Sequence, residues 1–144
     1  MSANCDLDIT FYGKIPKVVT KKALKDAVCA VLKKLRKKQG KVGIAFISEQ
    51  KIKEFNKKYL KKNKPTDVLS FTYSRPADPF LEGDIMLCGE YIKKQAKANS
   101  VLFKQEVLRL AVHGMLHIGG MDHDSFSKEK KMFSLQEKIL KTLC

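Results

Sequence analysis

All three histidines of this 144-residue chain fall in one eleven-residue stretch, His113-Gly-Met-Leu-His117-Ile-Gly-Gly-Met-Asp-His123. No other feature constrains the fold as much. His113 and His117 stand at i and i+4, so on a helix they stack on one face. Apolar periodicity over residues 101–119 predicts that helix. Gly119 and Gly120 stop it and permit a sharp turn, which can swing His123 back towards the first two rings. Three neutral imidazoles with a fourth position open describe a transition-metal site, most naturally for one zinc ion. A lone histidine on an apolar helix face is usually a hydrogen-bonded core residue. The triple with its glycine hinge weighs against that reading here. Metallopeptidases with the HExxHxxGxxH pattern share the histidine spacing but place a glutamate base directly after the first histidine. Gly114 stands at that position, which leaves a zinc peptidase as the third and weakest reading.

The rest of the chain supplies a core for such a helix. Alternation over 6–12 reads as a strand, and residues 17–38 read as an amphipathic helix closed by Gly40. Its apolar stripe is Leu24, Val28, Val31, Leu32 and Leu35. Residues 42–47 form a buried strand. Ser48 caps a helix over 49–60, with Ile52, Phe55 and Tyr59 turned inward. Strands over 68–73 and 84–88 flank a loop at 74–82 that holds Pro76 and Pro79. Helices follow at about 89–98, 101–119 and 127–142. The pattern predicts an α+β fold in a single domain spanning 1–144, with a small mixed sheet of about four strands packed against about five helices.

Charge narrows the partners. The chain carries 29 basic and 15 acidic side chains, a net of +14. Residues 1–64 hold 18 basic against 5 acidic groups, so nearly all the excess lies in the first half. Such a field concentrates polyanions, nucleic acid above all. Arginine occurs only at 36, 75 and 109, so phosphate contact by lysine is expected rather than base readout. Lys57, Lys58, Lys61, Lys62 and Lys64 are the candidate residues for guiding a nucleic-acid backbone. No apolar run reaches the roughly 20 residues of a membrane span. The N-terminus does not read as a secretory leader, so a cytoplasmic protein without membrane contact is expected. Cys5, Cys29, Cys88 and Cys144 show no CxxC pair and read as reduced, mostly buried thiols.

Three segments carry a resemblance. His113–His123 matches an HGxLHxxGxDH signature, Lys64-Pro65-Thr66-Asp67-Val68-Leu69-Ser70-Phe71 matches a KPTDVLSF box, and Gly83-Asp84-Ile85 matches a GDI strand. In this order and spacing, over roughly residues 40–125, they resemble the YbeY endoribonucleases, the rRNA maturation factors. The resemblance implies a single-domain α+β fold with a zincin-like metal helix, and zinc held by His113, His117 and His123. It also implies cleavage of single-stranded RNA in rRNA maturation and ribosome quality control, with rRNA and ribosomal subunits as partners. Asp67, Ser70 and Phe71 match the box that runs alongside the cleft. The family usually has an arginine after the aromatic residue, in a YRGKDKPTD-like stretch, for the RNA phosphate. Leu60 stands there instead, which passes the positive charge to Lys61 or Lys62.

The remaining candidates have two readings each. Asp67 is either part of the turn that leads into its strand or a polar group lining the cleft. Asp84 either orients a ligand imidazole or caps a strand. Glu106, on the His113 face, is expected to be ion-paired to a neighbour rather than to support a ligand. Arg109 reads as a surface charge facing away from His113. The expected chemistry is metal-assisted phosphodiester hydrolysis, with Lys61, Lys62, Asp67 and Asp84 as candidate catalytic groups and either the RNA 2′-hydroxyl or a water as nucleophile. A zinc-stabilised RNA-binding ribosome factor with weak or no cleavage is the alternative.

Overall fold

The alternating strand and helix signals resolve, in a computed structural model describing residues 5–122 and 124–143, into nine elements. They are β1 (Leu7–Tyr12), α1 (Lys21–Lys34), β2 (Gln39–Phe46), α2 (Glu49–Leu60), β3 (Val68–Thr72), β4 (Phe80–Leu87), α3 (Gly89–Ala98), α4 (Phe103–Ile118) and α5 (Phe126–Leu143). The α+β prediction holds. The sheet runs β1-β2-β4-β3, with β1, β2 and β4 parallel and β3 antiparallel to β4 at one edge.

Burial alternates along β2 and β4, as a period of two requires. Val42 and Ile44 of β2 and Leu81, Ile85 and Leu87 of β4 are buried in the main core with α1 and α4. The opposite face is thinner. There Ile52 and Phe55 of α2 pack with Leu69, Phe71 and Met86. Helix α4 is buried almost all round, from Glu106 to Ile118, which marks it as the central helix.

Two glycines let α4 lie close to the sheet. A Cβ at Gly83 would stand 2.4 Å from the Phe71 carbonyl oxygen and 2.8 Å from Ile118 Cγ2. One at Gly114 would stand 3.1 Å from both Ile85 Cγ2 and Ser70 Oγ. The residue after His113 is therefore small because the helix presses there on β3 and β4. A glutamate in the peptidase position would press on Ile85 and Ser70.

The structure corrects several boundaries. Helix α1 starts at Lys21 rather than 17, because Thr20 Oγ1 accepts the Ala23 N–H at 3.0 Å while Pro16 and Val19 close a turn before it. It ends before Gly40. Arg36 takes the left-handed conformation (φ 57°), and the Lys37 N–H reaches the Leu32 carbonyl at 3.0 Å. Gly40 instead sits inside β2, where a Cβ would lie 3.0 Å from Leu7 Cδ1 and 3.1 Å from Leu32 Cδ1. Strand β4 begins at Phe80, not 84, since pairing with β2 from Gln39 onward extends it. Tyr59 is half exposed rather than inward. Cys5 and Cys29 are not free thiols: they form a disulfide, with their Cα atoms 6.0 Å apart. The partners lie 24 residues apart, so only the folded chain brings them together. Cys88 is the free, buried cysteine among the described residues, and burial pushes its thiol pKa up.

Candidate active site

Helix α4 and edge strand β3 together build a cleft. His113 and His117 line it from α4, Val68, Leu69, Ser70 and Phe71 from β3, and Tyr59 and Leu60 from the end of α2. Its volume is about 420 Å³. An edge strand presents unpaired backbone N–H and C=O groups along its outer side, so one wall is polar as well as apolar. Tyr59 meets the Phe71 ring edge-on at 5.2 Å, which fixes the end of α2 against β3.

Both described histidines are oriented from behind. His113 Nδ1 lies 2.8 Å from Gln136 Oε1 of α5. His117 Nδ1 lies 3.1 Å from the Met121 carbonyl oxygen. An oxygen acceptor opposite each Nδ1 assigns the ring proton there and leaves the Nε2 lone pair as the donor for a cation. The glycine turn creates the second contact. Gly120 takes φ 102°, the Met121 N–H donates to the Leu116 carbonyl at 3.0 Å, and the Met121 carbonyl is thereby carried over His117. Pro76 packs so closely on Gly120 that a Cβ there would lie 2.9 Å from its ring.

The Gln136 amide has its own anchor. Its Nε2 donates to Glu137 Oε2 at 3.1 Å, which turns Oε1 towards His113. Glu137 is gripped by Arg109, with Nε to Oε2 at 3.0 Å and Nη2 to Oε1 at 3.3 Å. Burial opposes ionisation of Glu137, but Arg109 and the Gln136 amide hold its carboxyl below the usual range. Arg109 is therefore not a surface charge. It lies one helical turn before His113, four residues away, and its other hydrogen bond goes to Glu106. Glu106 is buried and ion-paired, as expected. Sequence reading missed Gln136 and Glu137, because only tertiary packing brings α5 behind His113.

The other expected residues separate. Asp67 Oδ1 accepts the Val68 N–H at 2.8 Å, and its Oδ2 accepts Gln95 Nε2 at 3.2 Å. It shapes the turn into β3 and does not line the cleft. Asp84 lies on the sheet face away from α4, beside Gly43, where it accepts the Tyr73 hydroxyl at 2.7 Å. That hydrogen bond, with burial second, pushes the Tyr73 phenol up to about 12. Asp84 therefore does not orient either described histidine. Lys57, Lys58, Lys61, Lys62 and Lys64 are all exposed at the end of α2 and the loop after it. Lys61 caps α2 in the left-handed conformation (φ 58°), and buried Asn56 ties the loop by donating to the Lys64 carbonyl at 2.9 Å. Neither Lys61 nor Lys62 lines the cleft. Leu60 does, 54% exposed.

His123 lies outside the described residues. Among those described, no three His, Cys, Asp or Glu side chains form a cluster able to hold a metal. The two described histidines fit a cation all the same, since they share one cleft and one tautomer.

The family model for endoribonuclease YbeY matches residues 9–144. The chain belongs to the YbeY family. Endoribonuclease YbeY of Persephonella marina is 36% identical over 129 residues, covering 87% of this chain and 84% of that protein. The Sulfurihydrogenibium protein of the same name is 40% identical over 134 residues, covering 88% and 86%. The solution structure of a Thermotoga maritima protein shares the fold, with a TM-score of 0.70 and 28% identity over 94% of this chain and 88% of that one. Of the YbeY-like features read from the sequence, His113 and His117 lie on α4, the KPTDVLSF box leads into β3 and the GDI residues lie on β4.

Proposed function

We propose that this single domain is a metal-dependent endoribonuclease that cuts single-stranded RNA during rRNA maturation and ribosome quality control, with ribosomal subunits as partners. As a YbeY protein it is a hydrolase of RNA phosphodiester bonds. The observation that carries the reading is the pair His113 and His117 in one cleft, each with Nδ1 held by an oxygen acceptor. His113, His117 and His123 would hold the ion, which we take as zinc on the chemistry of an all-imidazole donor set. Bound there, it would supply charge stabilisation at a phosphoryl oxygen and acidify a water molecule.

The protein's own groups do the rest. Gln136 and the Met121 carbonyl keep the two ring protons on Nδ1. Lys57, Lys58, Lys61, Lys62 and Lys64 draw the RNA backbone towards the mouth of the cleft by charge. The β3 edge offers backbone N–H groups beside the histidines. Action on rRNA supports a cytoplasmic location as part of this proposal. No described helix is long and apolar enough to cross a membrane.

Leu60 favours a second reading, an RNA-binding ribosome factor with weak or no cleavage, because an apolar side chain fills the cleft position that suits a phosphate-binding cation. Cleavage of a single-stranded RNA by wild type and His113→Ala, with zinc content measured in both, separates the two. The enzyme reading expects cleavage and zinc to fall together. Equal cleavage by both proteins assigns it to a contaminant and leaves the binding role.

A further inference from the structure

Behind the cleft, α5 walls a second and larger cavity of about 690 Å³, and His113 lines both. Two aromatic rings open onto it. Phe126 is 82% exposed and Phe133 is 59% exposed. They are seven residues apart, two turns of one helix face, or about 10.5 Å along its axis. Neither belongs to the buried stripe of α5, which runs through Met132, Gln136, Ile139 and Leu140. Lys130 and Glu129 stand between them on the same wall. Among the described residues, Lys130 has no carboxylate within ion-pair distance.

From this arrangement we infer a nucleobase-binding subsite: Phe126 and Phe133 each stack a base of the RNA strand that leaves the cleft past His113, and Lys130 meets the phosphate between them. The occupant is RNA rather than a protein because the cavity and the cleft share His113 as a wall, so a strand held in the cleft has the cavity beside it. The charge is complementary as well. Lys130 suits a phosphate, and Glu129 suits the exocyclic amino group of a base. Aromatic rings on which bases stack, beside a cation for the backbone, hold single strands without sequence preference. A spacing of about 10.5 Å exceeds the rise between stacked neighbours in a duplex, so only an unpaired strand can offer bases to both rings. The subsite would therefore supply the preference for single strands.

This inference rests on the RNA-cleaving reading of the cleft. The test is equilibrium binding of a 2′-O-methyl decanucleotide carrying one 2-aminopurine, alone and as a duplex, to the purified metal-loaded protein. The expected result is quenching of the base by wild type, and a loss of single-strand affinity of about 5- to 150-fold for each Phe→Leu change. Phe126→Tyr with Phe133→Tyr should restore both quenching and affinity, while duplex binding stays unchanged throughout. Wild-type binding with unchanged affinity in the leucine double variant would overturn the subsite alone, as would a loss that tyrosine does not restore. Failure of wild type to bind any RNA would overturn the function reading and the subsite with it.

Discussion

Replacing Gln136 with leucine removes the acceptor behind His113 and keeps roughly the same volume in the α4–α5 contact. Gln136 is buried and 2.8 Å from His113 Nδ1. Its loss leaves a ring N–H without that partner, at a cost of about 1–3 kcal/mol. Outer partners of ligating imidazoles typically set metal affinity by about 10- to 100-fold, which is about 1.4–2.7 kcal/mol. The two estimates agree, so zinc affinity measured by competition with a chromophoric chelator near neutral pH should fall by about 10- to 100-fold. Gln136→Glu sharpens the test. It keeps an oxygen for Nδ1 but sets a carboxylate against Glu137, which now accepts the Gln136 amide at 3.1 Å. That variant should hold zinc better than the leucine variant while melting at a lower temperature than wild type. Wild-type zinc affinity in Gln136→Leu would refute the reasoning. Ring ¹⁵N shifts of His113 give an independent check, since wild type should hold the proton on Nδ1 and Gln136→Leu should not.

Further outcomes follow from the packing and charge. Gly114→Ala and Gly83→Ala should each lose about 1–3 kcal/mol in chemical denaturation, because the new Cβ meets Ile85 and Ser70 or the Phe71 carbonyl; wild-type stability in both would show that α4 does not press on the sheet. Leu60→Arg should leave stability within about 0.5 kcal/mol, since Leu60 is half exposed, and should raise cleavage of single-stranded RNA by about 10-fold or more; unchanged cleavage would show that the cleft does not use a cation at this position. Tyr73 has its phenol pKa raised from 10.0 to about 12. A raised folded value contributes stability that is complete below pH 10 and lost as the pH rises through about 12. Phenolate absorbance should therefore show a late-titrating tyrosine that Tyr73→Phe removes.

The helix with its two histidines, the glycine turn and the four strands were legible because local periodicity and cap chemistry decide them. Ser48 caps α2 where expected, with its hydroxyl 3.1 Å from the Lys51 N–H, and Gly119 and Gly120 end α4. What escaped the sequence depends on distant partners. The Arg109–Glu137 pair joins residues 28 apart, the His113–Gln136 bond joins residues 23 apart, and the Cys5–Cys29 bridge joins residues 24 apart. No local pattern signals any of them. Gly40 misled because a glycine after a helical stretch usually ends it, whereas here close packing between β1 and α1 demands it. Asp84 misled because its motif neighbour Gly83 does face α4, and one residue along a strand reverses the face.

The histidine centre itself is tested most directly by X-ray absorption at the zinc edge on protein purified without chelator. The protein should hold about one zinc per chain, with a first scattering shell of nitrogen and oxygen at about 2.0–2.1 Å and multiple scattering from imidazole rings. Retention of no zinc, or sulfur scattering at about 2.3 Å, would contradict it.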